Sequence, residues 1–199
     1  MAGMESVNKE YFDQVYEDKE DPWHYESSEY EKEKYDASLR ALPKERYQNA
    51  LEIGCSIGVF TAELASRCDR LLAVDIAAAA VDKARERCAG LDHVTTQVMS
   101  IPEEYPGGLF DLIVLSEVGY YLGPERLTDL SNRITNQAVS GGHLLLVHWL
   151  LPVPNYQLRG DDVHLHFLGL PAWHSISSSR ADRYRIDVLE RRDRAGDPL

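Results

Sequence analysis

The 199-residue chain has few cysteines, few basic residues and no long apolar runs. No apolar run approaches the roughly 20 residues that a membrane-spanning helix needs, so we expect no membrane association. The first residues, as far as Trp23, are polar and acidic and contain no apolar segment of the kind found in secretory signals. We therefore expect a cytoplasmic protein.

Cysteine appears at Cys55, Cys68 and Cys88, and this spacing matches no paired-cysteine metal motif. We expect free thiols. His164 and His166 alternate with apolar residues, but no third ligand matches them in the sequence. The sequence therefore predicts no metal site.

Acidic residues outnumber basic ones by 33 to 21, which gives a formal net charge of -12. Arg191, Arg192 and Arg194 stand close together but are interleaved with acidic residues. An acidic chain repels phosphate backbones, so we expect no nucleic-acid partner. The charge is compatible with a neutral or amine-bearing small molecule, although acidity is also ordinary among soluble proteins.

The apolar pattern predicts a single domain over residues 1–199, with a helical lid segment (1–45), a core (46–190) and a polar tail (191–199). Strands alternate with helices from Asn49 onward, which indicates an α/β fold with a doubly wound, mostly parallel seven-stranded sheet. The pair Gly141–Gly142 precedes the fifth predicted strand. The predicted strands are 50–53, 70–75, 93–99, 109–116, 143–150, 173–177 and 184–190. The predicted helices are 28–41, 59–68, 77–89, 122–138 and 161–170.

The segment from Glu52 to Gly58 follows the first strand with the pattern E-x-G-x-x-x-G. Glycines allow the backbone to approach a ligand closely. The spacing differs from the G-x-G-x-x-G of dinucleotide enzymes, and no Lys-Ser/Thr pair follows as in a phosphate-binding loop. A nucleoside-binding oxidoreductase is therefore disfavoured.

Two further strand ends complete a candidate nucleoside site. Asp75 ends the second strand, where a carboxylate can accept hydrogen bonds from two ribose hydroxyls. Ser100 and Ile101 follow the third strand, where they can contact the adenine. In a parallel sheet these ends lie along one edge, so we expect the residues to meet there.

The motifs LEIGCSIG, LLAVD and FDLIVLSEV resemble those of class I S-adenosylmethionine-dependent methyltransferases over about residues 49–150. The resemblance implies a Rossmann-like fold and S-adenosyl-L-methionine as cofactor. Ser100 departs from the family pattern, which usually has an acid there. The implied cofactor-binding residues are Trp23, Tyr30, Glu52, Gly54, Cys55, Ser56, Gly58, Asp75, Ile76, Ser100, Ile101 and Ser116.

A narrower set of phrases, DPWHYESSEYEKEKYDASL, SEVGYYL, GGHLLLVHW and GDDVH, resembles the nodulation protein S family. Those enzymes N-methylate the free amine at the non-reducing end of a deacetylated chitooligosaccharide. The resemblance implies a small-molecule acceptor with an amine or sugar, but it leaves the acceptor itself open. Glu26 and Glu29 depart from the basic and aromatic residues expected in that family's lid.

The predicted rim of the site carries the candidate catalytic residues Glu117 and His148. Each lies near a strand end, where one could take a proton from the acceptor. The alternative for both is a structural role. Around them, the candidate substrate-binding residues are Tyr120, Tyr121, Trp149 and His164.

The aromatic residues Trp23, Tyr25 and Tyr30 either cover the cofactor, because a sulfonium favours aromatic faces, or pack the N-terminal helices onto the sheet. Lys34 is expected to be a solvated helix residue. The resemblance to these families implies methyl transfer to a small-molecule amine. O-methylation of a small metabolite and a cofactor-binding protein without catalysis remain alternatives.

Overall fold

The computed structural model describes residues 9–153 and 156–192. Its centre is a seven-stranded sheet in the order β3-β2-β1-β4-β5-β7-β6. The first five strands are mutually parallel, and β7 runs antiparallel to both of its neighbours. This confirms the predicted doubly wound, mostly parallel sheet. The strands are β1 (Ala50–Ile53), β2 (Leu71–Asp75), β3 (Val94–Val98), β4 (Phe110–Ser116), β5 (Ala138–Trp149), β6 (Trp173–Arg180) and β7 (Tyr184–Arg191).

Six α-helices flank the sheet within the described ranges. The helix predicted for 28–41 is confirmed, with Ser28 as its N-cap accepting the backbone N–H of Glu31. The helix predicted for 59–68 instead ends at Leu64 and continues as a 3₁₀ turn over Ala65–Arg67. The helices are α1 (Lys9–Asp18), α2 (Glu29–Ala41), α3 (Val59–Leu64), α4 (Ala78–Arg87), α5 (Pro124–Gln137) and α6 (Gly160–Leu168).

Helices pack on both faces of the central strands, and successive residues of a strand point to opposite faces. In β4, Ile113 and Leu115 pack in the cluster that contains residues of α5 and α6. Leu112 and Val114 pack in the opposite cluster with residues of α2 and α3. The near-continuous apolar run of β4 is therefore explained by helices on both sides.

The strand order changes direction between β1 and β4. The chain runs from β1 outward through β2 to β3, then crosses back to place β4 on the other side of β1. In such a sheet a crevice forms beyond the carboxyl ends at the reversal. The segments after Ile53, Asp75 and Ser116 meet there.

The end of β6 lies at Arg180 rather than at residue 177, and the start of β5 also differs from the sequence prediction. β5 begins at Ala138 and includes Gly141 and Gly142, which were predicted to precede the strand. The pairing with β4 is irregular between Phe110 and Leu112, and Gly141 has a φ of 68° that absorbs the irregularity within the strand.

The predicted polar tail begins too early. Arg191 is the last residue of β7, is buried, and donates from Nε to the carbonyl of Thr135. Residues 193–199 lie outside the described residues. Within the described parts of the chain, no helix is long and apolar enough to cross a membrane.

Candidate active site

The turn after β1 needs glycine at two positions, because each has a positive φ and leaves no room for a Cβ. Gly54 has a φ of 86°, and a Cβ there would lie 2.2 Å from Cγ2 of Val118. Gly58 has a φ of 78°, and a Cβ there would lie 2.7 Å from Cα of Ala84 in α4. Gly58 was predicted to contact the cofactor, but it lies against a helix instead. Its requirement for glycine comes from helix packing.

Asp75 connects the turn to the end of β2. Its Oδ2 accepts the backbone N–H of Ser56 at 2.9 Å, and its Oδ1 accepts that of Ala77 at 3.0 Å. Burial raises the pKa of this carboxyl above its usual range. The Ser56 side chain in turn bonds to the hydroxyl of Tyr16 in α1 at 2.5 Å. The carboxylate is thus oriented before any ligand arrives.

A cavity of about 710 Å³, counting the part open to solvent, lies beyond these strand ends. The N-terminal helical segment and the ends of β1, β2, β3 and β4 all contribute to its wall. The lining includes Phe12, Tyr16, Trp23, Tyr25, Ile53, Gly54, Ser56, Asp75, Ile76, Met99, Ile101, Ser116, Glu117, Val118, Tyr121 and Arg126.

The segment after β3 contributes apolar side chains rather than a polar one. Met99 and Ile101 line the cavity, whereas Ser100, the residue predicted to contact a cofactor, does not. The backbone N–H of Ser100 donates to Oε2 of Glu104 at 2.8 Å, and its hydroxyl faces Glu103. The local turn therefore draws Ser100 away from the cavity.

Aromatic side chains from the N-terminal segment cover the cavity. Trp23 packs edge-on against Tyr16, with ring centroids 5.6 Å apart, and lies 5.8 Å from Tyr25. Phe12 packs edge-on against Tyr121 at 4.9 Å. These contacts join the lid to the far wall of the cavity.

Tyr30 lies outside this lid, contrary to the sequence prediction. Its ring packs edge-on against Trp149 and Tyr184, and the Lys34 ammonium lies 5.5 Å from its centroid. The reason is that α2 lies against β7, so its first turn faces the far side of the site.

A smaller cavity of about 360 Å³ adjoins the first and shares Gly54, Ser56 and Glu117 with it. Glu52 and Cys55 face this smaller space. Burial raises the pKa of the Glu52 carboxyl to about 7. Among the described residues, no group donates a hydrogen bond to its Oε2.

Glu117 stands between the two cavities at the end of β4. Its Oε1 accepts from the Lys34 ammonium at 2.7 Å. Its Oε2 accepts from the Tyr120 hydroxyl at 2.5 Å and from the backbone N–H of Trp149 at 2.9 Å. Glu117 has a φ of 57°, and these contacts hold it in that rare backbone conformation. Tyr120 and Trp149 thus support Glu117 and do not line the large cavity.

Lys34 is buried, so the expectation of a solvated residue is wrong. Only 2% of its side chain is exposed, and its ammonium contacts Glu31 at 2.8 Å as well as Glu117. Burial alone lowers the pKa of Lys34, but the two carboxylates more than offset it and hold the pKa above its usual range. Lys34 therefore carries a positive charge beneath the site.

His148 and His164 are both fully buried and line neither cavity. His148 Nδ1 lies 3.1 Å from His164 Nε2, and its Nε2 accepts the backbone N–H of Gly119. Burial lowers the pKa of both rings. This placement does not support His148 as a general base or His164 as a substrate contact.

Comparison with known proteins decides the family. The family model described as Nodulation protein S (NodS) matches residues 6–142. The chain belongs to the nodulation protein S family. A member from Rhizobium tropici is 34% identical over 128 residues, which cover 63% of this chain and 54% of the relative. The chain spans about half the length of the curated relatives it matches.

Solved structures show the same fold. The N-methyltransferase NodS from Bradyrhizobium japonicum WM9, in complex with S-adenosyl-L-homocysteine, superposes with a TM-score of 0.83 at 23% identity. The alignment covers 94% of this chain and 100% of that one. A putative methyltransferase from Pseudomonas syringae has a TM-score of 0.71 at 34% identity, covering 81% and 99% of the two chains. The predicted Rossmann-like methyltransferase fold is confirmed.

Within this family fold, most of the predicted cofactor residues meet around the two cavities. Glu52 and Cys55 line the smaller one. Those lining the larger cavity are Trp23, Gly54, Ser56, Asp75, Ile76, Ile101 and Ser116, together with the rim residues Glu117 and Tyr121.

The sequence reasoning missed several lining residues. Phe12 and Tyr16 stand four residues apart on α1, a spacing that places two side chains on one helix face. That spacing is the signal that could have found them. Met99, Val118 and Arg126 carry no comparable pattern, because their approach to the cavity depends on loop conformation.

Proposed function

We propose that this chain is an S-adenosylmethionine-dependent methyltransferase and that it N-methylates a small-molecule amine. The observation that carries the proposal is the half-buried Asp75 carboxylate at the cavity wall, beside Gly54, which also lines the cavity. Such a carboxylate is suited to the two hydroxyls of a ribose. Met99 and Ile101 provide apolar surface for an adenine, and Ile76 adjoins the ribose position.

The remaining wall also fits the cofactor. Trp23 and Tyr25 offer aromatic faces to a sulfonium. The unpartnered Oε2 of Glu52 in the adjoining cavity fits an ammonium donor, such as the amino group of the methionine part. When bound, the cofactor supplies a methyl group that is already activated by positive charge. What the chain adds is orientation and the handling of one proton.

Glu117 is the candidate for contact with the acceptor. It faces both cavities, and Tyr120 and the Trp149 backbone hold its carboxylate in place. A carboxylate in this position can hold an acceptor ammonium or accept the proton that an amine loses before it attacks. When no acceptor is bound, the Lys34 ammonium balances the negative charge of the Glu117 carboxylate.

The name N-methyltransferase carried by the Bradyrhizobium relative supports an amine over an alcohol. Within amines, an amino sugar such as a deacetylated chitooligosaccharide is our proposed acceptor class, and Tyr121 can stack on a sugar ring. The alternatives are O-methylation of a small metabolite and cofactor binding without turnover.

A methyl-transfer assay tests the proposal. The chain is incubated with S-adenosylmethionine labelled at the methyl group and with matched acceptor pairs, such as glucosamine against glucose and chitosan oligomers against chitin oligomers. We expect label only in the amine member of each pair. Label in hydroxyl compounds would favour O-methylation. Binding of the cofactor without transfer to any acceptor would favour the non-catalytic alternative.

Glu117→Gln separates the role of the rim from that of the cofactor site. We expect a loss of turnover of about a hundredfold or more, because general acid–base groups typically contribute about 10²–10⁴-fold. Affinity for S-adenosylhomocysteine should change less than twofold. Full turnover in this variant would remove Glu117 from the reaction.

A further inference from the structure

Three fully buried side chains form a line behind the rim, which we call the buried histidine chain: His148 on β5, His164 on α6 and Asp187 on β7. His148 Nδ1 lies 3.1 Å from His164 Nε2, and His164 Nδ1 lies 2.7 Å from Asp187 Oδ2. Arg185 Nε contacts the same carboxylate oxygen at 2.9 Å.

The positions of the imidazole protons in the buried histidine chain follow from the contacts at its two ends. The backbone N–H of Gly119 points at His148 Nε2 at 3.2 Å, so Nε2 accepts and the ring proton sits on Nδ1. His148 Nδ1–H then donates to His164 Nε2, and His164 Nδ1–H donates to Asp187. Both rings are neutral, and His148 has no lone pair left for a substrate.

The backbone is shaped around His148 at two glycines. A Cβ on Gly119 would lie 2.5 Å from Cγ1 of Val163 and 3.0 Å from His148 Nε2. A Cβ on Gly160 would lie 2.2 Å from the carbonyl oxygen of Trp149 and 3.0 Å from His148 Cβ. Each missing side chain leaves room for α6 and the turn after β4 to close on the ring.

Gly119 begins the 3₁₀ turn that carries the rim. Tyr120 in this turn donates to Glu117, and Tyr121 lines the large cavity. The residue after His148 is Trp149, whose N–H also donates to Glu117. The buried histidine chain is therefore joined to Glu117 from both sides.

We propose that His148 is a positioning residue, which acts through Gly119 to hold the Glu117–Tyr121 turn in its acceptor-binding geometry. His164 and Asp187 fix the tautomer of His148 that can accept the Gly119 N–H. The acceptor role of this turn rests on the proposed function. The geometric role of His148 is independent of it.

Two substitutions of similar volume test this. His148→Phe fills the space without an acceptor, and His148→Gln keeps a side-chain oxygen for Gly119. We expect amide hydrogen exchange at Gly119 and Tyr120 to speed up about tenfold or more in the Phe variant and to be largely restored in the Gln variant. Exchange at Ser56 and Ala77, beside Asp75, should not change.

His143→Phe is the matched control, because His143 is a buried histidine on the same strand with Nδ1 bonded to the Tyr47 hydroxyl. It should leave Gly119 exchange unaltered. Equal loosening in all three variants, or an unchanged Gly119 in His148→Phe, would overturn the proposal by assigning His148 to general packing.

Nitrogen-15 NMR of the unmodified protein gives a test that needs no variant to fold. At pH 7.5 we expect His148 as the Nδ1–H tautomer, and an Nε2–H tautomer or an imidazolium would overturn the proposal.

With an acceptor from the transfer assay, His148→Phe should raise the acceptor KM about tenfold while S-adenosylhomocysteine affinity stays within twofold. If the wild type binds no S-adenosylhomocysteine, the proposed function fails, while the exchange and NMR results still decide the role of His148.

Discussion

Asp75 and Asp111 make the same kind of contact at opposite ends of the sheet. Asp75 accepts two backbone N–H groups at the cavity, and Asp111 accepts those of Gln48 and Asn49 at 2.9 and 2.8 Å. Both carboxylates order a loop. Of the two, only Asp75 lines the large cavity.

Asp75→Ala should weaken the binding of S-adenosylhomocysteine by about 1.5–3 kcal/mol, the usual value of a hydrogen bond to a charged group. Calorimetric titration measures the change. Asp111→Ala removes an equivalent pair of backbone contacts and should leave the affinity nearly unaltered. Equal losses in the two variants would mean that the effect of Asp75 is only structural.

Glu52 gives a pH dependence whose sign follows from its raised pKa. The folded-state pKa of Glu52 is about 7, above the ordinary value of about 4.3. Proton binding to Glu52 therefore stabilises the folded state fully below pH 4.3, and this stabilisation is lost as pH rises through 7. Between pH 5 and pH 8 the wild type should lose free energy of unfolding on the order of 2–3 kcal/mol relative to Glu52→Gln. Urea denaturation of both proteins at the two pH values checks this. Parallel pH dependence in the two proteins would contradict it.

At the scale of helices and strands, the sequence predicts the elements that have a local hydrophobic pattern. It does not predict boundaries that depend on pairing with a distant segment. The strands β1, β2 and β4 were predictable because each is a short, mostly apolar run. The start of β5 was not, because a glycine pair is also typical of a turn, and its place in the strand depends on pairing with β4.

The same dependence on distant partners explains why the environments of Lys34 and His148 were predicted wrongly. Lys34 stands in a charged helical stretch typical of a solvent-facing helix, and its burial depends on Glu117, 83 residues away. His148 lies at a strand end, as predicted, but it shares the sheet face of Leu144 and Leu146. An almost continuous apolar strand carries no pattern that says which face points to α6.

The N-terminal segment is the element that covers the cavity, and its response to ligand can be measured. Phe12 and Tyr16 of α1, with Trp23 beyond it, line the large cavity. S-adenosylhomocysteine should slow amide hydrogen exchange over α1 and residues 19–28, because ligand contacts oppose local opening. Exchange in β6, which lies at the far edge of the sheet, serves as the internal control. Tight binding with no slowing in α1 would show that α1 does not cover the ligand.

At the scale of the whole molecule, the sheet order brings residues distant in sequence to one crevice. The ends of β1, β2 and β4 supply the turn, Asp75 and Glu117, and the helices of the N-terminal segment cover them. The net charge of -12 is compatible with cationic small molecules and unfavourable for nucleic acid. The fold was predictable from the alternation of strands and helices, and the family from the resemblance of local motifs, whereas the rim geometry required the structure.

Calorimetric titration of the purified chain with S-adenosylmethionine and, separately, with NAD tests the assignment of the large cavity most directly. We predict one-to-one binding of S-adenosylmethionine and no binding of NAD at the same concentrations. Tight binding of NAD with none of S-adenosylmethionine would contradict a methyltransferase site built around Asp75.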